Sequence, residues 1–292
     1  MTAREVAPEF RRVAIVGLGL MGGSLAMALR RLPRSPRIIA ASADAADLER
    51  ALAQGIIDEA REDAPGAVAE ADLVVYATPV SVTLELLAST CSRIPDDAVV
   101  TDVGSVKRPV VSRARALGLD GRFVGGHPVA GSHRSGLAAA RADLYDGARV
   151  WLTPAGADDA RGPAAAHALE RVAALWRSVG AEPAVIGADE HDRLMAWASH
   201  LPQLAASALA SALARAGIAP ADLGPGGADT TRIAASPPAL WADILRHNAD
   251  LMRRPLDALQ GSLAELAAAL DRGDGEALER LLGLASAWRS EE

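Results

Sequence analysis

Residues 12–31, RVAIVGLGLMGGSLAMALRR, contain the pattern that decides the fold of this 292-residue chain. The apolar, β-branched run Arg12–Val16 predicts a strand, and the run 24–31 predicts a helix. Between them, three glycines beginning at Gly17 have the spacing G-x-G-x-x-G. The stretch therefore predicts a strand, a tight turn and a helix in direct succession.

This glycine spacing is typical of a turn that binds a pyrophosphate. The first glycine permits the tight turn, the second lets the backbone approach the phosphates, and the third allows close packing of helix on strand. A purely structural turn is the alternative, but the position between a strand and a helix N-terminus favours a dinucleotide. The predicted cofactor-binding residues of the turn are Gly17, Gly19, Leu20, Met21 and Gly22.

The choice between NAD and NADP depends on the end of the second predicted strand, Arg37–Ala41. In NAD enzymes an acidic residue at this point binds the ribose 2′-hydroxyl, whereas this chain has Ser42. Ser42 does not repel a 2′-phosphate, but no arginine follows to bind one, and Asp44 lies close by. The sequence therefore favours NADP slightly over NAD and leaves the use of both open.

Short apolar strands alternate with helical segments from Arg12 to Ile186. This alternation predicts a parallel sheet that is covered by helices on both faces. We expect an α/β fold, a Rossmann-type, doubly wound and mostly parallel sheet over residues 1–187. The later predicted strands are Leu73–Ala77, Val99–Val103, Arg122–Gly126, Trp151–Pro154 and Pro183–Ile186.

The pattern changes after residue 187 to Ala/Leu-rich helical segments, which predicts an all-helical domain over residues 188–292. Within it, Leu194–Ala214 contains no charged residue, yet its many Ala and Ser residues, with His200, suit lipid poorly. A helix that is apolar all round is instead buried in a protein interior or a subunit interface. We therefore expect a homodimer formed through this domain and no membrane span.

Composition excludes several classes of partner and site. The net charge is −7 and no dense basic run occurs, which argues against binding to nucleic acid or to an anionic membrane. The single cysteine, Cys91, excludes an intramolecular disulfide and a cysteine-based zinc site, and we predict no metal. The charged N-terminal stretch lacks the apolar core of a signal peptide, so we expect a cytoplasmic location.

Ligands of an open parallel sheet bind beyond the carboxyl ends of its strands, so the residues that follow each strand matter together. A nicotinamide bound there would have a hydroxyl, an ammonium and an imidazole as neighbours, which suits hydride transfer from an alcohol to a cofactor. A lone histidine is more often a core residue, but its place at a strand end favours a catalytic role. The strand-end residues are Gly17–Gly22, Thr78 and Pro79, Gly104–Lys107, and His127 with Pro128.

Together with the glycine turn, a series of further motifs resembles the prephenate/arogenate dehydrogenase (TyrA) family, and the resemblance covers nearly the whole chain in order. It implies oxidative decarboxylation of prephenate to 4-hydroxyphenylpyruvate, with hydride transfer to NAD or NADP, in tyrosine biosynthesis. The motifs are Asp102–Lys107, His127–Ser132, His191 and Asp192 with Ser199–Pro202, Asp229–Ala234, and Trp241–Asn248.

The resemblance also implies roles for individual residues of this chain. His127 would bind the ring hydroxyl as the catalytic residue, and Ser105 would support that hydrogen bond. Arg232 would pair with a substrate carboxylate, for which a guanidinium is well suited. The other residues implied to line the cleft or to attract a small anionic substrate are His200, Asp229 and Lys107.

Structural roles stay open for some of these residues. Asp229 is equally consistent with a helix cap or a partner for Arg232, and Lys107 with a solvated position in a first helix turn. His191 and Asp192 are equally consistent with surface positions at the start of a helix.

Two departures from the family pattern bear on the substrate. Gln203 stands where the family often has a second histidine, and His133 and Arg134 stand where an acidic residue is common. The missing carboxylate favours prephenate weakly over arogenate, which carries an ammonium.

The alternatives are an arogenate-specific or dual cyclohexadienyl dehydrogenase and a 4-amino-4-deoxyprephenate dehydrogenase. More remote are a β-hydroxyacid dehydrogenase, which would need a lysine that 189–214 lacks, and a non-catalytic dinucleotide-binding protein.

Overall fold

A computed structural model describes residues 10–131, 134–155 and 162–290 of the chain. Its eight described strands form one sheet in the order β3-β2-β1-β4-β5-β6-β7-β8. Of these described strands, only β6 and β7 pair antiparallel, so the prediction of a mostly parallel sheet is confirmed. The strands are β1 (Arg12–Val16), β2 (Arg37–Ala41), β3 (Glu59–Arg61), β4 (Leu73–Tyr76), β5 (Val99–Asp102), β6 (Phe123–Pro128), β7 (Arg149–Pro154) and β8 (Glu182–Val185).

Helices cover both faces of this sheet. In β1, Ile15 packs with Leu25 in one core, whereas Val16 packs with Leu87 in the other. Because both faces are buried, the strands are nearly continuous apolar runs. Of the helices that cover them, α1, α2 and α6 lie on one face and α3, α4 and α5 on the other. Their bounds are α1 (Leu20–Arg30), α2 (Ala45–Ala53), α3 (Ala64–Val68), α4 (Val80–Thr90), α5 (Arg108–Ala116) and α6 (Pro163–Ser178).

The sequence pattern did not predict β3, which lies at one edge of the sheet beside β2. This strand has only three residues and a charged residue at each end, so it shows neither an apolar run nor an alternation. Glu59 accepts a hydrogen bond from Arg37 at 2.7 Å. A short, charged strand is a common way to protect a sheet edge from pairing with another chain.

The described residues from 188 to 290 form helices and turns without a strand, as the sequence predicted. Throughout the described ranges, every helix is too short or too polar to cross a lipid bilayer. The proposed boundary at 187/188 falls between β8 and α7 and stays a prediction. The helices are α7 (Ala188–Met195), α8 (Leu201–Arg215), α9 (Pro225–Thr231), α10 (Pro238–His247), α11 (Ala249–Asp271) and α12 (Gly275–Arg289).

A π-helical turn, Ala196–His200, joins α7 to α8 without a break. Pro202 has no N–H, and in an α-helix its ring would collide with the carbonyl four residues earlier. In the wider turn, the Leu201 N–H bonds to the carbonyl oxygen of Ala196, five residues back. The helix thus continues past the proline, with His200 on its buried side.

Two polar clusters hold the C-terminal helices against the sheet layers. The Arg108 guanidinium at the start of α5 donates to both carboxylate oxygens of Asp250, at 2.7 and 2.8 Å. The backbone N–H of Ser81 in α4 donates to Asp243 of α10 at 3.1 Å, and the Ser81 hydroxyl donates to the same carboxylate. These contacts fix α10 and α11 relative to the strand ends.

A buried ion pair joins the end of β5 to β6. Lys107 and Asp102 are both completely buried, and the Lys107 ammonium donates to the Asp102 carboxylate and to Gly126 O, the latter at 2.8 Å. Asp102 also accepts the backbone N–H groups of Gly104 at 2.9 Å and Gly126 at 3.1 Å. Burial lowers the pKa of Lys107, and the Asp102 carboxylate opposes that shift.

Replacing Asp102 should destabilise the protein strongly, because a buried ammonium would lose its charged partner. We expect Asp102→Asn to lower the free energy of unfolding by about 3–5 kcal/mol, measured by urea denaturation. Asp257→Asn, which removes an exposed ion pair with Arg253, is the control and should cost less than about 1 kcal/mol. Equal losses in the two variants would contradict this account of the buried pair.

Candidate active site

The carboxyl ends of β1, β4, β5 and β6 surround a cavity of about 430 Å³. It lies at the switch point where the connections of a doubly wound sheet diverge, which is the usual ligand site of such folds. We call this space the strand-end cavity. From the predicted site residues, it brings together Gly19, Leu20, Met21, Thr78, Pro79, Gly104, Ser105 and His127.

The glycine turn fits a dinucleotide pyrophosphate. Gly17 has φ +99°, and a Cβ there would lie 2.5 Å from Ala77 O, while a Cβ on Gly22 would lie 2.0 Å from Gly17 O. Gly19, in contrast, faces open space at the cavity. No described side chain caps α1, and its first turn has no acidic residue, so its N-terminal amides can bind an anion. Gly17 and Gly22 thus shape the turn, and Gly19 leaves room for the ligand.

The C-terminal helices complete the site. Ser236, Leu240 and Trp241 close one side of the strand-end cavity. A second cavity of about 380 Å³, which we call the helix-side cavity, contains Met195 and Ser199 of the α7–α8 helix. The two cavities share His127, Ser105, Pro128, Ala130, Gly131 and Trp241. His127 therefore lies between the space beside the glycine turn and the space beside the helices.

His127 begins a chain of buried hydrogen bonds. Its exposed fraction is 8%, and its Nδ1 lies 2.8 Å from His191 Nε2. His191 Nδ1 in turn lies 2.7 Å from Asp192 Oδ1. Both His191 and Asp192 are completely buried, so the interpretation of these two as surface residues is wrong. The sequence signal that could have found them is their position on the same helix face as Met195.

The charge states along this chain suit a general base. Burial, with the nearby His191 and Lys107, lowers the pKa of His127 well below 6.5, and burial also lowers the pKa of His191. Burial alone would raise the pKa of Asp192, but hydrogen bonds from His191 and two backbone amides outweigh it and lower the pKa. Near neutral pH, both histidines are therefore neutral and Asp192 is ionised.

His200 is a second buried imidazole close to the site. Burial lowers its pKa to about 4, and its Nδ1 lies 3.2 Å from Asn248 Nδ2. Its Nε2 is buried and has no hydrogen-bond partner among the described residues. The ring packs edge-on against Trp241, which lines both cavities. His200 itself lies behind that wall rather than in the lining, so its predicted substrate contact stays a prediction.

Two family models match successive parts of the chain. Residues 25–185 match "Prephenate dehydrogenase, nucleotide-binding domain", and residues 187–284 match "Prephenate dehydrogenase, dimerization domain". The chain belongs to the prephenate dehydrogenase family.

Relatives of known name agree with this family over most of the chain. A prephenate dehydrogenase of Bacillus subtilis is 34% identical over 287 residues, and the match covers 95% of this chain and 75% of that protein. A cyclohexadienyl dehydrogenase of Zymomonas mobilis is 33% identical over 276 residues, and the match covers 92% of each chain. The crystal structure of the Aquifex aeolicus prephenate dehydrogenase with hydroxyphenyl propionate and NAD+ matches with a TM-score of 0.86. Its identity is 32%, and the match covers 98% of this chain and 99% of that one.

The structure of this family member corrects the interpretation of Lys107 as a substrate-binding cation. The side chain is fully buried, its ammonium is bound by Asp102 and Gly126, and it lines neither cavity. A sequence motif at a strand end does not reveal whether a lysine points into the cleft or back into the sheet. Lys107 instead holds the strand ends together.

Arg232 and Asp229 are exposed and lie outside the lining of both cavities, on the segment between α8 and α10. Gln203 fixes this segment, because its amide donates to Ile233 O at 3.0 Å. The proposed substrate roles of Arg232 and Asp229 stay predictions.

The remaining predicted contacts lie at the edges of the site. Ser42 directly follows β2 and lies outside the strand-end cavity, and its hydroxyl accepts the N–H of Asp44 at 3.3 Å. The preference between NAD and NADP therefore stays a prediction. Arg134 lines the strand-end cavity, whereas Ser132 and His133 lie outside the described residues.

The glycine turn of this prephenate dehydrogenase family member can be tested with a matched pair of variants. In Gly19→Ala the new methyl group enters open space at the cavity, so we expect the fold to persist and the KM for the dinucleotide to rise. A rise of about tenfold corresponds to about 1.4 kcal/mol of lost binding. Steady-state kinetics and thermal unfolding measure the two effects.

Gly261→Ala is the control, since Gly261 is exposed in α11 and also has open space at its Cβ position. It should leave the KM unchanged and stabilise the helix slightly. Unchanged dinucleotide KM in Gly19→Ala would mean that the cofactor does not approach this turn.

Proposed function

We propose that the protein catalyses the oxidative decarboxylation of prephenate to 4-hydroxyphenylpyruvate with NAD or NADP as hydride acceptor, a step of tyrosine biosynthesis. The observation that carries this proposal is a neutral, buried histidine at the junction of two cavities, in a chain of the prephenate dehydrogenase family. The names of the Bacillus subtilis relative and of the NAD+-bound Aquifex aeolicus enzyme support the same reaction.

The geometry supports a division of the site into two parts. The glycine turn, Thr78 and Gly104 would hold the dinucleotide in the strand-end cavity, and the substrate would lie in the helix-side cavity. A bound nicotinamide supplies the hydride acceptor. His127, which lines both cavities, would then face the carbon from which the hydride leaves.

His127 would accept the proton of the ring hydroxyl, because it is neutral near pH 7 and reaches both cavities. Ser105 lines the same two cavities and would orient the hydroxyl toward the imidazole. Hydride transfer and loss of the ring carboxylate as CO2 would leave an aromatic phenolate, which would take the proton back from His127, so the protein has mainly to position and polarise the substrate.

Cations and donors near the rim would bind the carboxylates of the substrate. Arg232 is exposed close in sequence to Ser236, which lines the strand-end cavity, and a guanidinium can bind a carboxylate through two hydrogen bonds. Asp229 would orient that guanidinium. His200 would offer its Nε2, which has no hydrogen-bond partner within the described ranges, to a substrate atom.

A matrix of prephenate and arogenate, each with NAD+ and NADP+, tests the reaction through absorbance of the reduced nicotinamide. We expect turnover with prephenate, and turnover with arogenate as well would indicate dual use, as in the name of the Zymomonas mobilis relative. Cofactor binding without turnover of either substrate would favour 4-amino-4-deoxyprephenate as substrate or a non-catalytic protein.

The matched variant for this assay is His127→Asn, which keeps a polar side chain but cannot accept the proton. We expect kcat to fall by about 10²–10⁴ with dinucleotide affinity retained. A nearly unchanged kcat would refute the assignment of the base.

We also propose that the protein is a cytoplasmic homodimer. Besides Leu194 and Leu240, seven large apolar side chains of the C-terminal helices are exposed among the described residues of the single chain, and the family model for this region is named a dimerization domain. A second copy would bury them. Sedimentation equilibrium should give twice the mass of one chain, and a monomer at micromolar concentration would exclude the dimer. The side chains are Trp197, Leu209, Leu263, Leu270, Leu282, Leu284 and Trp288.

A further inference from the structure

Asp192 only accepts hydrogen bonds. Its carboxylate receives the backbone N–H of Lys107 at 2.7 Å and that of Arg108 at 2.9 Å, and Arg108 Nε lies 3.3 Å away. These donors belong to the N-terminal turn of α5, whose dipole also favours a negative charge. A carboxylate held in this way stays ionised and has no proton to donate.

The state of Asp192 determines the proton on His191. His191 Nδ1 lies 2.7 Å from Asp192 Oδ1, and two acceptors do not share a hydrogen bond, so the proton is on Nδ1. A neutral imidazole carries only one proton. His191 Nε2 is therefore an acceptor and points at His127 Nδ1, 2.8 Å away.

We propose that His191 and Asp192 are positioning residues that hold His127 in a single tautomer, with its proton on Nδ1 and its Nε2 free to accept a proton. The tautomer follows from these hydrogen bonds with His191 neutral, whereas its use on a substrate hydroxyl rests on the proposed function. The opposite tautomer would place a lone pair of His191 against the Asp192 carboxylate.

His191 lies between Asp192 and His127, so Asp192 can orient the His127 ring without direct contact between the carboxylate and that ring. A carboxylate in direct contact with His127 would raise the pKa of that imidazole, since it favours the cation. Here burial lowers the pKa of His127, and so do the nearby His191, Lys107 and His200. The base is thus oriented by Asp192 and still releases its proton readily.

NMR of the protein labelled with 15N in its imidazole rings tests the tautomer directly. The chain has six histidines, and loss of one ring system in His127→Asn assigns that residue. We expect His127 with protonated Nδ1 and unprotonated Nε2 at pH 7.5. A proton on Nε2 would overturn the proposal whatever the substrate of the enzyme.

Asp192→Asn tests the consequence for turnover. At the position of Oδ2, the new amide NH2 would point at two N–H groups of Arg108, which cannot accept a hydrogen bond. At the position of Oδ1, it would point at the backbone N–H of Lys107 and at His191, whose Nδ1 can accept. We therefore expect it to donate to His191 and to reverse both tautomers. The matching change in a Ser-His-Asp triad lowers kcat by about 10⁴, and here we expect at least about 100-fold.

Asp250→Asn is the matched control, because Asp250 shares Arg108 but contacts neither histidine. It should keep kcat within about twofold and the tautomer of His127 unchanged. Dinucleotide affinity, measured by calorimetry, should be equal in both variants.

Wild-type kcat in Asp192→Asn would overturn the positioning role. If Asp192→Asn does not fold, the wild-type spectrum still decides the tautomer, and an absence of prephenate turnover with the expected spectrum would refute only the proposed function.

Discussion

The site depends on one contact, in which a carboxylate of the C-terminal helical part binds the N-terminus of a helix in the sheet part. Asp192 lies in α7, and the amides that bind it belong to the first turn of α5, which follows β5. The same contact orients His191 and holds the C-terminal helices beside the strand ends. Neither the sheet nor the helices alone could therefore present His127 in a working state, since its orientation depends on groups from both.

The sequence predicted those features that need only local chemistry. A glycine turn between an apolar strand and a helix has one conformation that fits, and the carboxyl ends of parallel strands must meet at one edge. For this reason the sequence alone places Gly19, Thr78, Gly104 and His127 near one another, and all four line one cavity. The fold class and the helical C-terminal part followed from periodicity in the same way.

The sequence did not reveal features that depend on pairing between distant residues. Lys107 is an exposed cation by type, and only its fully buried contact with Asp102 shows it to be structural. His191 and Asp192 are polar residues in a helix with acidic neighbours, and their burial follows from the docking of α7 on α5. The edge strand β3 was not predicted from the sequence, because its pairing with β2, rather than its own composition, makes it a strand.

The π-helical turn at Ala196–His200 restricts how this helix can change in length. An α-helix rotates by about 100° for each residue, so the loss of the extra residue would turn everything beyond it by that angle. Ser199, at the helix-side cavity, and Gln203, which donates to the segment that carries Arg232, would then no longer face their present neighbours together. Substitutions along this helix leave its register unchanged, whereas a single-residue insertion or deletion within it would disrupt the site.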